Sequence, residues 1–431
     1  GKLSPVAAEL QLPLVPCMEG SLADAPNALP FQRLLCMGAP FLEVRAEVPQ
    51  STLDDFKLRG NAVVQVEGHM QSLLPEINRL CAEMGRPVVY AATGDATLTA
   101  LAVQALLRED QGYSAEANRR NPAVSLLGGV GRDQLGYKLQ DYLKECGIQP
   151  LLSEIVSEQT GWTAFLCPLR LEDPSSHGFE RSSLAPEQEK GESNLQLAVV
   201  YRAVQAGAAN QYKLDHLRFK VWEQVEAAGV VYAEATFLTV SFESVKILAE
   251  HCAKMGNTFC LSLSAPYVCR YFGDRILTVI PYTDVIFGCE REYMALAEQK
   301  RSEGLAQDVD SVATWLAKMP RSDGENWKRR RVVVITCGDK PTIVASTWRG
   351  YGVKVQRFPV PPVRSRSFVR KDGAGDAFAA GFLYGLMHEA DVDSCVQMAL
   401  YCASVAVQRV GPGFSFKDKP SVDKALSTAP Q

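Results

Sequence analysis

Segments with the period of amphipathic helices alternate along the chain with short apolar runs that are typical of buried strands. The pattern predicts strands at 34–38, 123–127, 229–232, 258–263, 285–287 and 332–336, and helices at 96–108, 135–146, 242–255 and within 375–410. Strands that alternate with helices of about 10–15 residues favour right-handed βαβ units. The sequence therefore predicts an α/β fold with a mainly parallel sheet that helices cover on both faces.

The predicted domain at 34–416 is flanked and interrupted by segments of a different composition. Residues 1–33 contain five prolines and show no helical period, so we expect an extended N-terminal arm. The polar stretch 168–192 is predicted to be a solvated loop insertion, and 417–431 a C-terminal tail. An arm that is ordered needs something to hold it, so we expect the arm and the surface insertion to contact protein partners in a larger complex.

The overall composition is that of an ordinary globular protein, with 47% hydrophobic and 22% charged residues among 431. A net charge of −4 gives no general attraction to nucleic acid or anionic membranes. Apolar runs such as 198–201 and 332–335 fall far short of the ~20 residues of a membrane span. The 12 cysteines form neither a CxxC pair nor a zinc-type cluster, which favours a reducing compartment.

These features predict an intracellular protein of the cytoplasm or of an organelle matrix such as the mitochondrial one, and not a secreted protein. The chain begins at Gly1, so a targeting peptide that has been removed stays an open alternative.

The sharpest chemical signal is the run Gly373, Ala374, Gly375 and Asp376, which opens a predicted helix. Successive backbone N–H groups and the positive end of a helix dipole suit a phosphoryl group that is being transferred. An acidic residue one turn inside the helix can take the proton of an attacking hydroxyl. An ordinary loop-to-helix turn, with glycines for close packing, explains the same run. The motif alone leaves both interpretations open.

Other motifs accompany this run in a fixed order along the domain. They are FLTVS from Phe237, LSAPY from Leu263, PYTDVIFG from Pro281, Thr160 with Gly161, Ala208 to Asn210, and Gly128 with Gly131 and Asp133. Together with GAGDAF, they resemble the ribokinase/PfkB family, and adenosine kinases in particular. The resemblance implies a ribokinase-like three-layer α/β/α sandwich of nine or so strands, with a small β-rich lid whose strands come from about 43–70 and 160–210. It also implies ATP and Mg²⁺ as cofactors of an active protein.

The segments that hold the nucleoside in adenosine kinases are altered. Where the family has Gly-Asn-Pro, two hydrophobic residues and Asp, this chain ends the run with Glu43, whose extra methylene exceeds the ~0.5 Å tolerance of a preorganised site. Where the family has two glycines and then Asn, this chain has Thr93, Gly94, Asp95 and, further on, Leu98. Glu43, Gly94 and Asp95 remain the candidate substrate contacts, but we expect weakened ribose binding.

The phosphate side of the predicted site is altered as well. Arg370 and Lys371 precede the glycine run, and these cations are expected to lower the pKa of Asp376 or to bind phosphate. The family's Asn-x-x-Glu motif, which helps to organise magnesium, begins here with cysteine and keeps only Glu292 as a candidate ligand of the metal and nucleotide. Thr336 and Gly338 are further candidate nucleotide contacts, with a plain strand-to-turn glycine as the alternative.

The most compact basic run comprises Lys328, Arg329, Arg330 and Arg331. Such a run is usually a solvated loop. The alternative is contact with RNA phosphates or with an acidic partner, which salt would weaken.

Three functions stay open on the sequence alone. Losses at several separated substrate positions favour a catalytically impaired or inactive protein that acts as a structural or regulatory subunit of a larger assembly and needs no cofactor. The alternative is an active ATP-dependent kinase of purine salvage, which transfers the γ-phosphate to the 5′-hydroxyl of adenosine or to another nucleoside or sugar. A nucleotide-binding sensor without turnover is the third.

Overall fold

The structure is a computed structural model, and it describes residues 31–60, 62–169, 201–300, 304–305, 308–322, 330–347, 352–363, 372–409, 413–416 and 419. Most of the predicted arm, insertion and tail, together with Lys328, Arg329, Arg370 and Lys371, lies outside the described residues. No helix in the described ranges is long and apolar enough to cross a lipid bilayer.

Strands and helices alternate along most of the described chain. The strands are β1 (Leu34–Met37), β2 (Phe41–Val48), β3 (Val63–Gln65), β4 (Val89–Thr93), β5 (Val124–Gly131), β6 (Gln149–Ile155), β7 (Trp162–Pro168), β8 (Tyr201–Gln205), β9 (Val230–Glu234), β10 (Thr258–Ser262), β11 (Val285–Cys289), β12 (Val332–Cys337), β13 (Lys340–Thr347) and β14 (Val353–Phe358). The α-helices are α1 (Gln50–Asp55), α2 (Leu73–Glu83), α3 (Asp95–Arg108), α4 (Ala115–Arg120), α5 (Gln134–Glu145), α6 (Leu214–Lys220), α7 (Trp222–Glu226), α8 (Phe237–Val240), α9 (Phe242–Met255), α10 (Pro266–Tyr271), α11 (Gly273–Val279), α12 (Glu290–Glu298), α13 (Val309–Lys318), α14 (Ala374–Met387) and α15 (Val392–Val407).

The larger sheet has nine strands within the described residues, in the order β14-β13-β12-β11-β10-β9-β1-β5-β6. Neighbouring strands from β12 to β6 are parallel, and β13 and β14 add an antiparallel edge. The predicted mainly parallel sheet is therefore confirmed. Because parallel strands end at the same edge, the loops after β1, β9, β11 and β12 lie together, which is where α/β proteins bind ligands.

Alternate residues of the central strands enter two separate hydrophobic cores. Leu34 and Cys36 of β1 belong to the core formed with α3, α14 and α15. Leu35 and Met37 belong to the opposite core, formed with α9, α12 and α13. Side chains alternate between the two faces of a strand, so strands buried on both faces have nearly continuous apolar sequences. The three-layer α/β/α sandwich is confirmed.

The predicted element bounds differ from the structure by a few residues. Helix α9 coincides with the prediction and ends at Gly256, whose left-handed φ of 81° stops the helix. Strand β11 runs on to Cys289, two residues beyond its predicted end, because its ladder with β12 continues to Thr336.

A second, smaller sheet has the order β3-β8-β7-β2-β4. Four of its strands come from the segments that the family resemblance implied for a lid. The fifth, β4, pairs antiparallel with β2 and was not predicted, because its five residues lead directly into α3.

Asp133 connects the segment before β7 to the large sheet through three hydrogen bonds. Its Oδ1 accepts hydrogen bonds from Gly136 N at 2.7 Å and Thr160 Oγ1 at 2.6 Å, and its Oδ2 accepts one from Thr160 N at 2.8 Å.

Arg331 lies inside the protein, although it is the last residue of the basic run. Its guanidinium is fully buried and donates hydrogen bonds of 2.6–3.3 Å to backbone carbonyls. The accepting carbonyls belong to Ile280, Thr283, Leu316, Met319 and Pro320. The donors of Arg331 are therefore committed to the protein interior, and the predicted contact of the basic run with RNA or an acidic partner stays a prediction for its other residues. Arg330 is exposed.

Candidate active site

The first turn of α14 lies open at the carboxyl edge of the large sheet. Its N-cap, Gly373, has a φ of 76°, in the left-handed region that favours glycine. A Cβ built on Gly375 would meet no heavy atom within 4 Å, so the backbone around Ala374 and Gly375 is accessible. The first N–H groups of a helix have no partner within the helix. This turn therefore offers donors and space to a phosphoryl group.

Asp376 follows in the same turn, and its surroundings change its acidity. Burial raises the pKa of its carboxyl well above the usual range, the nearby carboxyls of Asp95 and Glu234 raise it further, and Arg409 opposes them. Among the described residues, burial and the acidic neighbours therefore outweigh the one opposing cation; Arg370 and Lys371, which were expected to lower this pKa, lie outside the described residues, and their effect stays a prediction. A carboxylate with a raised pKa is a stronger base once it is ionised.

Gly94 and Asp95 lie at the start of α3, near Asp376. Gly94 is the N-cap of this helix and has a φ of 111°. Burial raises the pKa of Asp95 to about 7, and the charges of Glu234 and Glu292 contribute. The structure thus brings two predicted substrate contacts together with the predicted base, and one of them changes charge near neutral pH.

Glu234, which the sequence analysis missed, ends β9 in the middle of this acidic group. Its Oε1 accepts a hydrogen bond from Ala39 N at 2.8 Å, and its Oε2 accepts one from Ala96 N at 2.9 Å. Burial raises its pKa, although these two amides favour the charged form. A sequence signal existed, because a charged residue directly after a buried strand lies at the edge where α/β proteins bind ligands. The prediction ended that strand at Tyr232 and did not weigh Glu234.

Glu43 lies on β2, in the small sheet. Its carboxylate is buried and ion-paired with Arg45, two residues along the same strand. The guanidinium of Arg45 lies over the ring of Phe165, 5.3 Å from its centroid, and Arg202 lies over the same ring at 5.2 Å. Glu43 therefore belongs to a charged and aromatic layer of the small sheet, and its role as a sugar ligand stays a prediction.

The predicted nucleotide contacts lie at the ends of two neighbouring strands. Thr336, near the end of β12, pairs with Cys289 at the end of β11. Gly338 follows in the turn after β12 with a φ of 69°. Glu292 lies in the first turn of α12, where its Oε2 accepts a hydrogen bond from Cys289 N at 2.7 Å. These three residues share the carboxyl edge with α14, and their contacts with nucleotide stay predictions.

The acidic residues of this edge do not form a closed metal cage. In the part of the chain that the structure describes, no group of three or more His, Cys, Asp or Glu side chains is arranged to hold a metal ion. Mg²⁺ usually keeps several waters and substrate phosphates and takes one or two protein carboxylates. Glu292, with one oxygen committed to the helix cap, fits that limited role. Burial raises the pKa of its carboxyl, which a bound cation would counteract.

Several known proteins are similar to this chain. The pattern described as pfkB family carbohydrate kinase matches residues 183–419. Adenosine kinase 1 of Arabidopsis thaliana is 32% identical over 389 residues, which cover 90% of this chain and 96% of that protein.

Solved structures of adenosine kinases share the fold. The Anopheles gambiae enzyme, in complex with P1,P4-di(adenosine-5) tetraphosphate, has a TM-score of 0.65 at 26% identity, and the match covers 89% of this chain and 98% of that one. The apo Trypanosoma brucei brucei enzyme has a TM-score of 0.70 at 21% identity, with 88% and 99% covered, which shows the fold alone. This chain therefore belongs to the pfkB family of carbohydrate kinases, as its motifs predicted, and is adenosine kinase-like.

Proposed function

We propose that this protein is an ATP-dependent kinase that transfers the γ-phosphate of ATP to the 5′-hydroxyl of adenosine or of a closely related nucleoside. The observation that carries the proposal is the open, glycine-capped turn of α14 with the half-buried side chain of Asp376 inside it. Three relatives that this chain matches over most of their length are adenosine kinases, which supports the same activity.

The chemistry assigned to the chain is simple. Asp376 takes the proton of the attacking hydroxyl as the new oxygen–phosphorus bond forms and the bond between the β–γ bridging oxygen and the γ-phosphorus breaks. The N–H groups of Ala374 and Gly375 stabilise the charge on the transferred group. Glu292 would help to hold Mg²⁺, which would supply positive charge to neutralise the phosphates. ADP leaves with the bridging oxygen.

A second candidate is the non-catalytic subunit of a larger assembly, joined through the N-terminal arm and the insertion. It is motivated by the altered substrate positions in the sequence, Glu43, Asp95 and Leu98. This candidate requires that phosphoryl transfer be absent in the purified chain, and that the chain copurify in fixed proportion with a complex.

Replacement of the base tests the proposal. We expect Asp376→Asn to lower kcat for phosphoryl transfer from Mg-ATP to adenosine by at least about 10²-fold, since a positioned general base contributes that much. Asp393→Asn is the matched control, because Asp393 is exposed in the first turn of α15, and it should leave kcat unchanged. A wild-type protein with no transfer, or an Asp376→Asn protein as fast as wild type, would contradict the proposal.

A further inference from the structure

The side chain of Glu234 reaches from the large sheet into the gap between the two predicted sugar-binding segments. Met37 of β1 lies beside Ala233 of β9 in the parallel ladder, so Glu234 follows at the level of Gly38. Strand β9 thereby directs a carboxylate to the point where the β1–β2 loop and the start of α3 meet.

Both oxygens of this carboxylate are engaged by backbone amides, one from each segment. Ala39 N belongs to the loop after β1 and donates at 2.8 Å, and Ala96 N belongs to the first turn of α3 and donates at 2.9 Å. Hydrogen bonds to a charged group are the stronger kind, worth roughly twice a neutral one. These amides are therefore not free to bind a ligand while Glu234 stays in place.

The side chain of Glu234 also fills the gap between the β1–β2 loop and the start of α3. Glu234 is only 2% exposed. A Cβ built on Gly38 would lie 2.5 Å from Glu234 Oε2 and 2.5 Å from the Cβ of Ala96, so glycine is needed at 38 to make room for the carboxylate. A carboxylate that is available to bind sugar hydroxyls would face the cleft. The carboxylate of Glu234 instead fills the space between the β1–β2 loop and the start of α3.

We propose that Glu234 is a specificity-determining residue that acts as a resident competitor of the nucleoside: its carboxylate occupies the amide pair of Ala39 and Ala96, and a ribose must displace it to bind. This inference rests on the proposed function only in one respect: it places the nucleoside between the β1–β2 loop and the start of α3. An internal occupant lowers the fraction of binding-competent protein, and the apparent affinity falls by that fraction. Nucleoside affinity is therefore set by residue 234.

Calorimetric titration of the purified full chain with adenosine tests the proposal without any need for turnover. We expect Glu234→Ala to bind adenosine at least about tenfold more tightly than wild type, because two charge-assisted hydrogen bonds no longer have to be broken. Glu234→Gln keeps the size of the side chain but can accept a hydrogen bond from only one of the amides. Its affinity for adenosine should lie between those of wild type and Glu234→Ala. Glu243→Ala is the matched control, since Glu243 is an exposed glutamate in the first turn of α9, and it should match wild type.

The proposal is overturned if Glu234→Ala binds adenosine no more tightly than wild type, including the case in which neither binds. If Glu234→Ala does not fold, as its melting curve would show, the Glu234→Gln comparison decides, and unchanged affinity there overturns it. Failure of the proposed function has a different signature: Glu234→Ala gains adenosine affinity, yet neither protein transfers phosphate from Mg-ATP.

Discussion

Arg202, on β8 of the small sheet, is ion-paired with Asp372, the residue that precedes the N-cap of α14. The pair joins the small sheet to the turn that offers its amides to phosphate. The side chains are 28% and 41% exposed, and pairs of this kind contribute roughly 0–1 kcal/mol to stability. The contact is therefore too weak to hold the fold together, but it connects the small sheet directly to the start of α14.

We expect Asp372→Asn to change the free energy of unfolding by less than about 1 kcal/mol. The same change should speed amide hydrogen exchange in β8, because the strand loses its tie to α14 and opens locally more often. Exchange measured by mass spectrometry on native protein checks this. Asp141→Asn, which breaks an exposed pair with Lys144 within α5, is the control and should leave β8 unchanged. Equal exchange in β8 for both variants would show that the pair does not restrain the small sheet.

Asp95 should control the pH dependence of the reaction. Its charge is one of the causes that raise the pKa of Asp376, so Asp95→Asn should lower that pKa. Because the base must be ionised, activity rises with pH through this pKa, and the acid limb of the kcat/KM profile should move to lower pH in the variant, by at least about half a unit. An acid limb that stays in place or moves to higher pH would mean that Asp376 is not the titrating base.

Arg331 should be essential for folding, not for docking. Arg331→Ala leaves several buried carbonyls without donors, and we expect the free energy of unfolding to fall by about 3–5 kcal/mol. Arg330→Ala, at the exposed neighbour, should change it by less than about 1 kcal/mol. Urea unfolding followed by circular dichroism measures both. Equal stabilities of the two variants would contradict the buried role.

The fold was largely predictable, because its central strands are buried on both faces and alternate with long helices. Strand β4 was not predictable, since five residues directly before a helix are too few to show whether they form a strand or belong to the helix.

The catalytic turn was predictable from Gly373 to Asp376, because glycine, helix start and acid are adjacent in sequence. The environment of Asp376 was not. Its pKa depends on Asp95 and Glu234, which are far away in sequence and meet it only through the order of the strands. The interior position of Arg331 was hidden for the same reason, as its acceptors come from two other segments of the chain.

Phosphoryl transfer to the 5′-hydroxyl of a nucleoside is tested most directly by comparing adenosine with 5′-deoxyadenosine. The purified chain is incubated with Mg-ATP carrying a labelled γ-phosphate, and the labelled products are separated and counted. We expect labelled adenosine monophosphate from adenosine and no labelled nucleotide product from 5′-deoxyadenosine. No labelled product from adenosine, or release of labelled phosphate at the same rate with either compound, would contradict it.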